Sequence, residues 1–521
     1  MLTLGQEDMH STLRKIALSL AALLAIIGLV LVYGVKQPPI FKFNQGINRI
    51  LSTQEAGLYP SAAKLLVKLN IAEDWSNPPN QSDSAKSYPI VSFASSAKNQ
   101  YPYQTYNQYG TPRQLQGGLF IAPPQSRTLL VSSTQEVLSA VKNAEPGDII
   151  TLSPGEYDVK AHSISVKTAG HSDAPIYLRA EKFGTVTLQM NTHEGFHVSA
   201  PFWVFENLKI RGKCANHSYC EHAFHIVGNG HSFTLRNSEL VDFNAPIKAN
   251  MKSVDGDIYF PDRGLAEYNS FYNTEPRTTN NPVTLLNLNS ADEWVVRGNF
   301  IADFSKNGSD HVSYGAFMKG NSSNGLFEGN LVMCEHRLTA DEGIRVGLSF
   351  GGGGTAKKYC KEKNCSVEHR DGIMRNNIIM NCSRDVGIYL NRAQNSQIYH
   401  NLLYNNLGID VRFETSTAQI DNNIISGRIQ NRDSGRSHTS KNILARDCIG
   451  TTLDNCKLSR LYAAPQKIDF RLTTLDNAIW NLLEPIDGLR QDFCGQAIVG
   501  KVNPGPLQYS SGMACLGGSA P

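Results

Sequence analysis

The sequence predicts an all-β chain folded as a solenoid of stacked coils, a parallel β-helix, and three observations carry that expectation. Only 18% of the 521 residues are charged, while 41% are hydrophobic and Asn is about as common as the 43 Gly. Such a chain can bury a core and is poor in the charge that disordered segments carry, and it lacks the strict Gly period of collagen. Short apolar segments recur, each ending near an Asn: FENLKI at Asn207, FTLRNSEL at Asn237, WVVRGNFI at Asn299, LFEGNLV at Asn330, IMRNNIIM at Asn377, QIYHNLLY at Asn401 and QIDNNIIS at Asn423. Their intervals of 30, 62, 31, 47, 24 and 22 residues fit single coils, coils with a loop, or two coils with insertions. Asn suits the corner of a coil because it tolerates the left-handed conformation and because its amide can bond to its equivalent one coil away.

The N-terminal 15 residues are read as cytoplasmic. Residues 16–35, IALSLAALLAIIGLVLVYGV, carry no charge and follow Arg14 and Lys15. About 20 such residues span a hydrocarbon core, so they form a transmembrane anchor or a signal segment. An uncleaved anchor is preferred, with the N-terminus inside and the β-helix on the periplasmic or extracellular side. Residues 36–127 read as a linker or extended segment, because SNPPNQSDSAKSYP and NQYPYQTYNQYGTPRQLQGG lack apolar period.

The solenoid is expected over residues 128–460. It opens with a strand, then a short capping helix with Val137, Leu138 and Val141 on one face and a cap at Ser133 or Thr134 before Glu136, then a strand from Ile149 to Leu152. Such a helix would cover the open end of the stack. Residues 461–521 are read as a closing segment. All ten cysteines follow residue 210, which points to disulfides in an oxidising compartment. The short-range pairs are Cys214/Cys220, Cys360/Cys365, Cys448/Cys456 and, more distantly, Cys494/Cys515; Cys334 and Cys382 remain by subtraction.

The run VSSTQEVLSAVKNAEPGDIITLSPGEY, followed by APIYLRAEKFGTVTLQ and FWVFENLKIRG, resembles the N-terminal coils of right-handed parallel β-helix proteins active on polysaccharides. The resemblance is particularly to the alginate lyases and chondroitinase B of polysaccharide lyase family 6, and it covers about residues 128–430. It implies a right-handed coil, an acidic uronate polysaccharide as partner, and cleavage by β-elimination. It also implies a lysine base and an arginine acid or stabiliser on the next coil. By motif position these are Lys319, in MKGNSSNGLFEGN, and Arg345, in GIRVGLSFGGGG, with His336 or Arg337 as alternatives to the arginine. Calcium is associated with this group, but in SDHVSYGAF, before Lys319, only Asp310 is acidic, so its ligands are not matched and no cofactor is assigned.

Alternation supplies the rest of the site. Ala316 and Met318 should point inward and Lys319 outward; Ile344, Val346, Leu348 and Phe350 inward and Arg345 outward. Tyr389 and Asn391 should face out with Arg392 just beyond, as should Asp410, Arg412 and Glu414. Lys319, Arg345, Tyr389 or Asn391, and Arg412 then form a cationic column suited to a polyanion. In CANHSYCEHAFHI the Cys and His spacing fits no tetrahedral metal pattern, so a Cys214–Cys220 disulfide is expected and no metal site is assigned, with His222 and His225 free to contact sugar. GGGG at 351–354 lacks the Lys-Ser/Thr of a phosphate loop and reads as an excursion returned by the Cys360/Cys365 hairpin. The net charge of +3, with no Lys/Arg block, gives no reason to expect nucleic acid. Two rival functions stay open: a non-catalytic envelope scaffold that only holds polymer, and a uronate C5-epimerase, whose Asp-Pro-His-Asp signature this sequence lacks.

Overall fold

Short parallel strands begin at Thr128 and recur to Leu444 in a computed structural model that describes residues 126–339 and 342–445, parts of 458–508, and two short strands, Thr105–Tyr106 and Pro112–Arg113. These lie within one compact unit, Lys86–Pro521; the other unit, Met1–Ala85, holds the expected anchor and lies outside the described residues. Among the described residues no helix is long and apolar enough to cross a membrane.

The strands stack into three long sheets of twelve, eleven and eight strands, paired parallel throughout, so the fold is a parallel β-helix. One coil shows the pattern: Trp203–Glu206 lies in the first sheet, Lys209–Gly212 in the second and Phe224–Val227 in the third. Inward side chains from all three sheets fill one core, in which Phe196, Phe205 and Phe224 are fully buried, the rings of Phe205 and Phe224 meeting edge to face at 4.7 Å. The helix Thr134–Lys142 caps the N-terminal end. Ser133 is its N-cap and Glu136 closes the capping box, while Val137 and Val141 are buried and Leu138 only partly so. At the other side, Leu458, Tyr462, Phe470, Phe493 and Leu507 cover the outer face of the second sheet against Phe300, Met333 and Tyr404.

The corner asparagines divide the two roles expected of one residue. Asn269, Asn299, Asn330, Asn377, Asn401, Asn423 and Asn442 form a ladder: from Asn299 onward each side-chain oxygen accepts the backbone N–H and the amide of the Asn one coil earlier, at 2.9 to 3.1 Å, while Asn269 Oδ1 accepts the Ser238 N–H at 3.0 Å. The left-handed turn falls one residue earlier, on Asn207, Asn237, Tyr268, Gly298, Gly329, Asn376, His400, Asn422 and Lys441. Asn207 and Asn237 therefore belong to the turn position and bond to each other, Asn237 Nδ2 donating to Asn207 Oδ1 at 2.7 Å. The 62-residue interval resolves into two coils through Asn269.

Three expected disulfides are present: Cys214–Cys220, Cys334–Cys382 and Cys360–Cys365. Cys494 is also disulfide-bonded; Cys448, Cys456 and Cys515 lie outside the described residues.

Candidate active site

Among the described residues the closing segment packs on the second sheet, and it is the third sheet that carries the lysines expected to act. Its registers define two outward columns. One runs His225, Lys248, Asn287, Phe317, Ser349, Tyr389, Asp410 and Gln430. In the other, Asn289 pairs with Lys319, and Asn391 with Arg412 and then Arg432. Parallel neighbours stand about 4.8 Å apart, so groups scattered over 200 residues of chain meet on one face.

Lys248 is the strongest feature. Its neighbours Ile247 and Ala249 point into the core, which turns the amine outward. Nζ donates to Asn287 Oδ1 at 2.8 Å. Burial, reinforced by the positive charge of Lys319 and opposed by Glu221, brings the amine down to about 7. Lys319 stands two coils along, about 10 Å in strand spacing, with Nζ donating to Gly353 O at 3.0 Å and lying 4.5 Å from the centre of the Phe317 ring. Burial also pulls its amine down, with Glu368 opposing. Glu368, raised by burial, accepts the Gly320 N–H at 3.0 Å. Asn250 Oδ1 lies 2.8 Å from Nε2 of His225, and Glu221 lies 3.4 Å from His193. An amine near 7 beside a second cation suits proton abstraction from an anionic substrate.

Other predicted residues fall elsewhere. Arg345 is 2% exposed, ion-paired with Glu335, and donates to Glu342 O at 2.9 Å. Its strand partner is Ser313, while Ile344 and Val346 pack with Tyr314 and Tyr389 instead of entering the core. The expected alternation thus holds for Leu348 and Phe350 but not before Gly347. The position beyond Phe350, between Lys319 and Asn391, is Gly351, with φ 75° and Asn391 O only 1.8 Å from where a Cβ would stand. No side chain fits there.

His336 and Arg337 lie after the second-sheet strand Leu331–Met333, their backbone N–H groups bound to the buried Asp303 at 2.7 and 3.0 Å, away from the lysines. His222 is buried and its Nδ1 contacts Ala245 O at 2.9 Å. Tyr389, Asn391, Arg392 and Arg412 do come together: Arg412 donates to the Tyr389 hydroxyl at 3.3 Å, and both Arg392 and Arg412 lie on the Phe413 ring, at 4.4 and 4.6 Å. The column is not purely cationic, however, because Asp433 pairs with Arg412 at 2.5 Å and Asp410 with Arg432. The stretch before Lys319 does not fit calcium: its one acid, Asp310, is taken by Lys306 at 2.8 Å and by the Val312 N–H at 3.1 Å. The excursion 351–368 is pinned by Lys361 to Asp262 at 2.9 Å and Asp292 at 2.5 Å.

Residues 131–250 match the family model described as Chondroitinase B. That interval contains His225 and Lys248 and stops short of Lys319. Pectate lyase L of Dickeya chrysanthemi is 25% identical over 237 residues, covering 40% of this chain and 54% of that protein, so the chain spans about half the length of this relative. Among solved structures, the pectate lyase Pel9A superposes with a TM-score of 0.47 at 12% identity, covering 71% of this chain and 90% of that one. A mannuronic acid specific polysaccharide family 6 lyase from human gut microbiota gives 0.36 at 14% identity, covering 62% and 83%. The chain resembles this group of β-helix lyases.

Proposed function

We propose that the outer face of the third sheet binds an acidic, uronate-bearing polysaccharide and cleaves it by β-elimination. The observation that carries this reading is the placement of Lys248 and Lys319 on one sheet face, two coils apart and offset by two residues along the strand, with burial and the charge of Lys319 bringing the Lys248 amine down to about 7. The resemblance to chondroitinase B and pectate lyase L supports the reaction class. Lys319, protonated, neutralises the uronate carboxylate and so acidifies the C5 proton. Lys248, neutral, removes that proton; the electron pair forms the C4–C5 double bond as the C4–O bond breaks, the leaving oxygen takes a proton from water, and Lys248 returns its proton to solvent. Lys319, expected from the family motif to be the base, here serves as the anion partner. Tyr389, Asn391 and Arg412 extend the face and would hold neighbouring sugar units.

The reading is tested by incubating the purified full chain with alginate, polyglucuronate and chondroitin and following the ultraviolet absorbance of the unsaturated product. Absorbance should rise with one of them and fall at least about 100-fold in Lys248→Ala, the usual scale for losing a general base. Absence of product with all three, or full activity in Lys248→Ala, sinks the lyase reading; exchange of the C5 proton without cleavage would select an epimerase, and binding alone a scaffold. The charge-free segment 16–35 and the disulfides support an exported, membrane-anchored location. Extraction from membranes by detergent but not by alkaline carbonate is the expected result.

A further inference from the structure

Next to Lys248, on the coils toward the N-terminus, Glu194, His197 and His225 converge with no role in the elimination. Their ligand atoms all lie within 4.8 Å of one another, and all three side chains are partly buried. We propose that they form a binding site for a divalent transition metal of the zinc and cobalt class.

The argument starts with the His225 ring. Asn250 Nδ2 donates to Met251 O at 3.0 Å, which turns Asn250 Oδ1 toward Nε2 of His225 at 2.8 Å. That oxygen can only accept, so Nε2 carries the hydrogen and Nδ1 of the neutral ring presents a lone pair. Nδ1 is buried without a hydrogen-bond partner and faces Glu194 Oε1 at 3.4 Å. Two acceptors so placed call for a cation between them. His197 makes a metal the better candidate than a proton, because it brings a third donor from the adjacent coil, its ring 5.5 Å from that of His225 and edge-on to it.

The backbone holds this arrangement. Phe196–Val198 and Phe224–Val227 are successive strands, linked by the Phe196 N–H to Ala223 O at 2.8 Å. Glu194 reaches the same face because Gly195 follows it: with φ 55° and Ala223 O at 2.1 Å from a would-be Cβ, only glycine lets this turn sit against the His225 coil. The Cys214–Cys220 disulfide tightens the segment leading into His225.

Donors around an ion at about 2.1 Å stand about 3 to 4 Å apart, so a slight closure of the three side chains completes the set. Two imidazoles and one carboxylate suit zinc or cobalt and leave a position open, whereas calcium demands six or more oxygens. The Asn250 amide would be the outer partner that orients His225.

The test uses the tag-free full chain, stripped by chelator, titrated with Zn²⁺ by calorimetry and with Co²⁺ by visible absorbance. One equivalent should bind, with loss of binding in His197→Ala and in His225→Ala, and about 10- to 100-fold weakening in Asn250→Ala. Circular dichroism checks that each variant folds. Failure of the wild-type chain to bind either ion leaves a proton as the shared cation and overturns the proposal, as does binding that persists unchanged in the double histidine variant. Because the readout is metal occupancy, the result is independent of whether the elimination reaction is found.

Discussion

At the scale of single residues, the decisive property is the environment of an amine. A solvated lysine is protonated at neutral pH and cannot act as a base, whereas Lys248 releases its proton near 7. Activity should therefore rise through about pH 7 as the base becomes neutral, and fall about tenfold per unit below it. Lys319→Met should move that limb to higher pH, since it removes the positive neighbour that helps lower Lys248; an unmoved limb would show that the two lysines do not communicate. The same depression affects stability. Unfolded, the Lys248 amine keeps its proton to about 10.4, so between about 7 and that value the unfolded state binds more protons and stability from this group rises with pH. Lys248→Met should lack that rise in melting experiments from pH 7 to 10. Arg345 illustrates the opposite case, a charge spent on structure. Arg345→Ala leaves Glu335 buried without its ion pair and should cost about 3 to 5 kcal/mol, read by denaturant unfolding, with kcat unaltered in the folded protein. A fall in kcat at unchanged stability would return Arg345 to the site. Alternation in IKAN exposes Lys248 as plainly as MKGN exposes Lys319, so the missed lysine was legible there; its lowered proton affinity was not.

At the scale of elements, stacking makes a corner residue part of a column. In the ladder, Asn330 Oδ1 receives two hydrogen bonds from Asn299, while its own Nδ2 donates to Val296 O and Asn377 Oδ1 at 2.9 Å. Asn330→Ala leaves several buried groups unpaired and should cost about 2 to 3 kcal/mol or more, measured by chemical denaturation; Lys441→Gly, at an exposed left-handed turn with φ 54°, should cost far less. The capping helix tests a smaller effect. Glu136 N–H donates to Ser133 Oγ at 3.2 Å, and Glu136 Oε2 accepts the Ser132 and Ser133 N–H groups, so Ser133→Ala should cost about 1 kcal/mol. The cap was readable because S-x-x-E is a local signal. The ladder was readable only in part, because spacing finds the Asn but cannot say which of two adjacent residues takes the left-handed turn.

At the scale of the whole molecule, the near-neutral charge hides an ordered pattern. Arg179, Glu206, Arg236, Glu267, Arg297, Glu328 and Arg375 occupy one register position of the first sheet in strict alternation of sign. Four of the neighbouring pairs are ion-paired at 2.6 or 2.7 Å. Charges cancel along that face while the third sheet keeps its lysines. The disulfides act on the same scale. Cys334–Cys382 closes 48 residues of chain and Cys360–Cys365 only five, so loop entropy makes the Cys334→Ser/Cys382→Ser variant the less stable, by up to about 4 kcal/mol against about 2 for the shorter loop; equal losses in unfolding would point away from loop closure as the cause. The sequence by itself determined the coiled architecture, the cap, the short-range pairs Cys214/Cys220 and Cys360/Cys365 and the outward placement of Lys319, Tyr389, Asn391 and Arg412, because each follows from local period or short spacing. Only the tertiary structure decided that Lys248 joins Lys319, that Arg345 turns away, and that Glu194 and His197 reach His225. Those relations depend on register between coils and on burial, and both are set by how the coils stack rather than by any one segment.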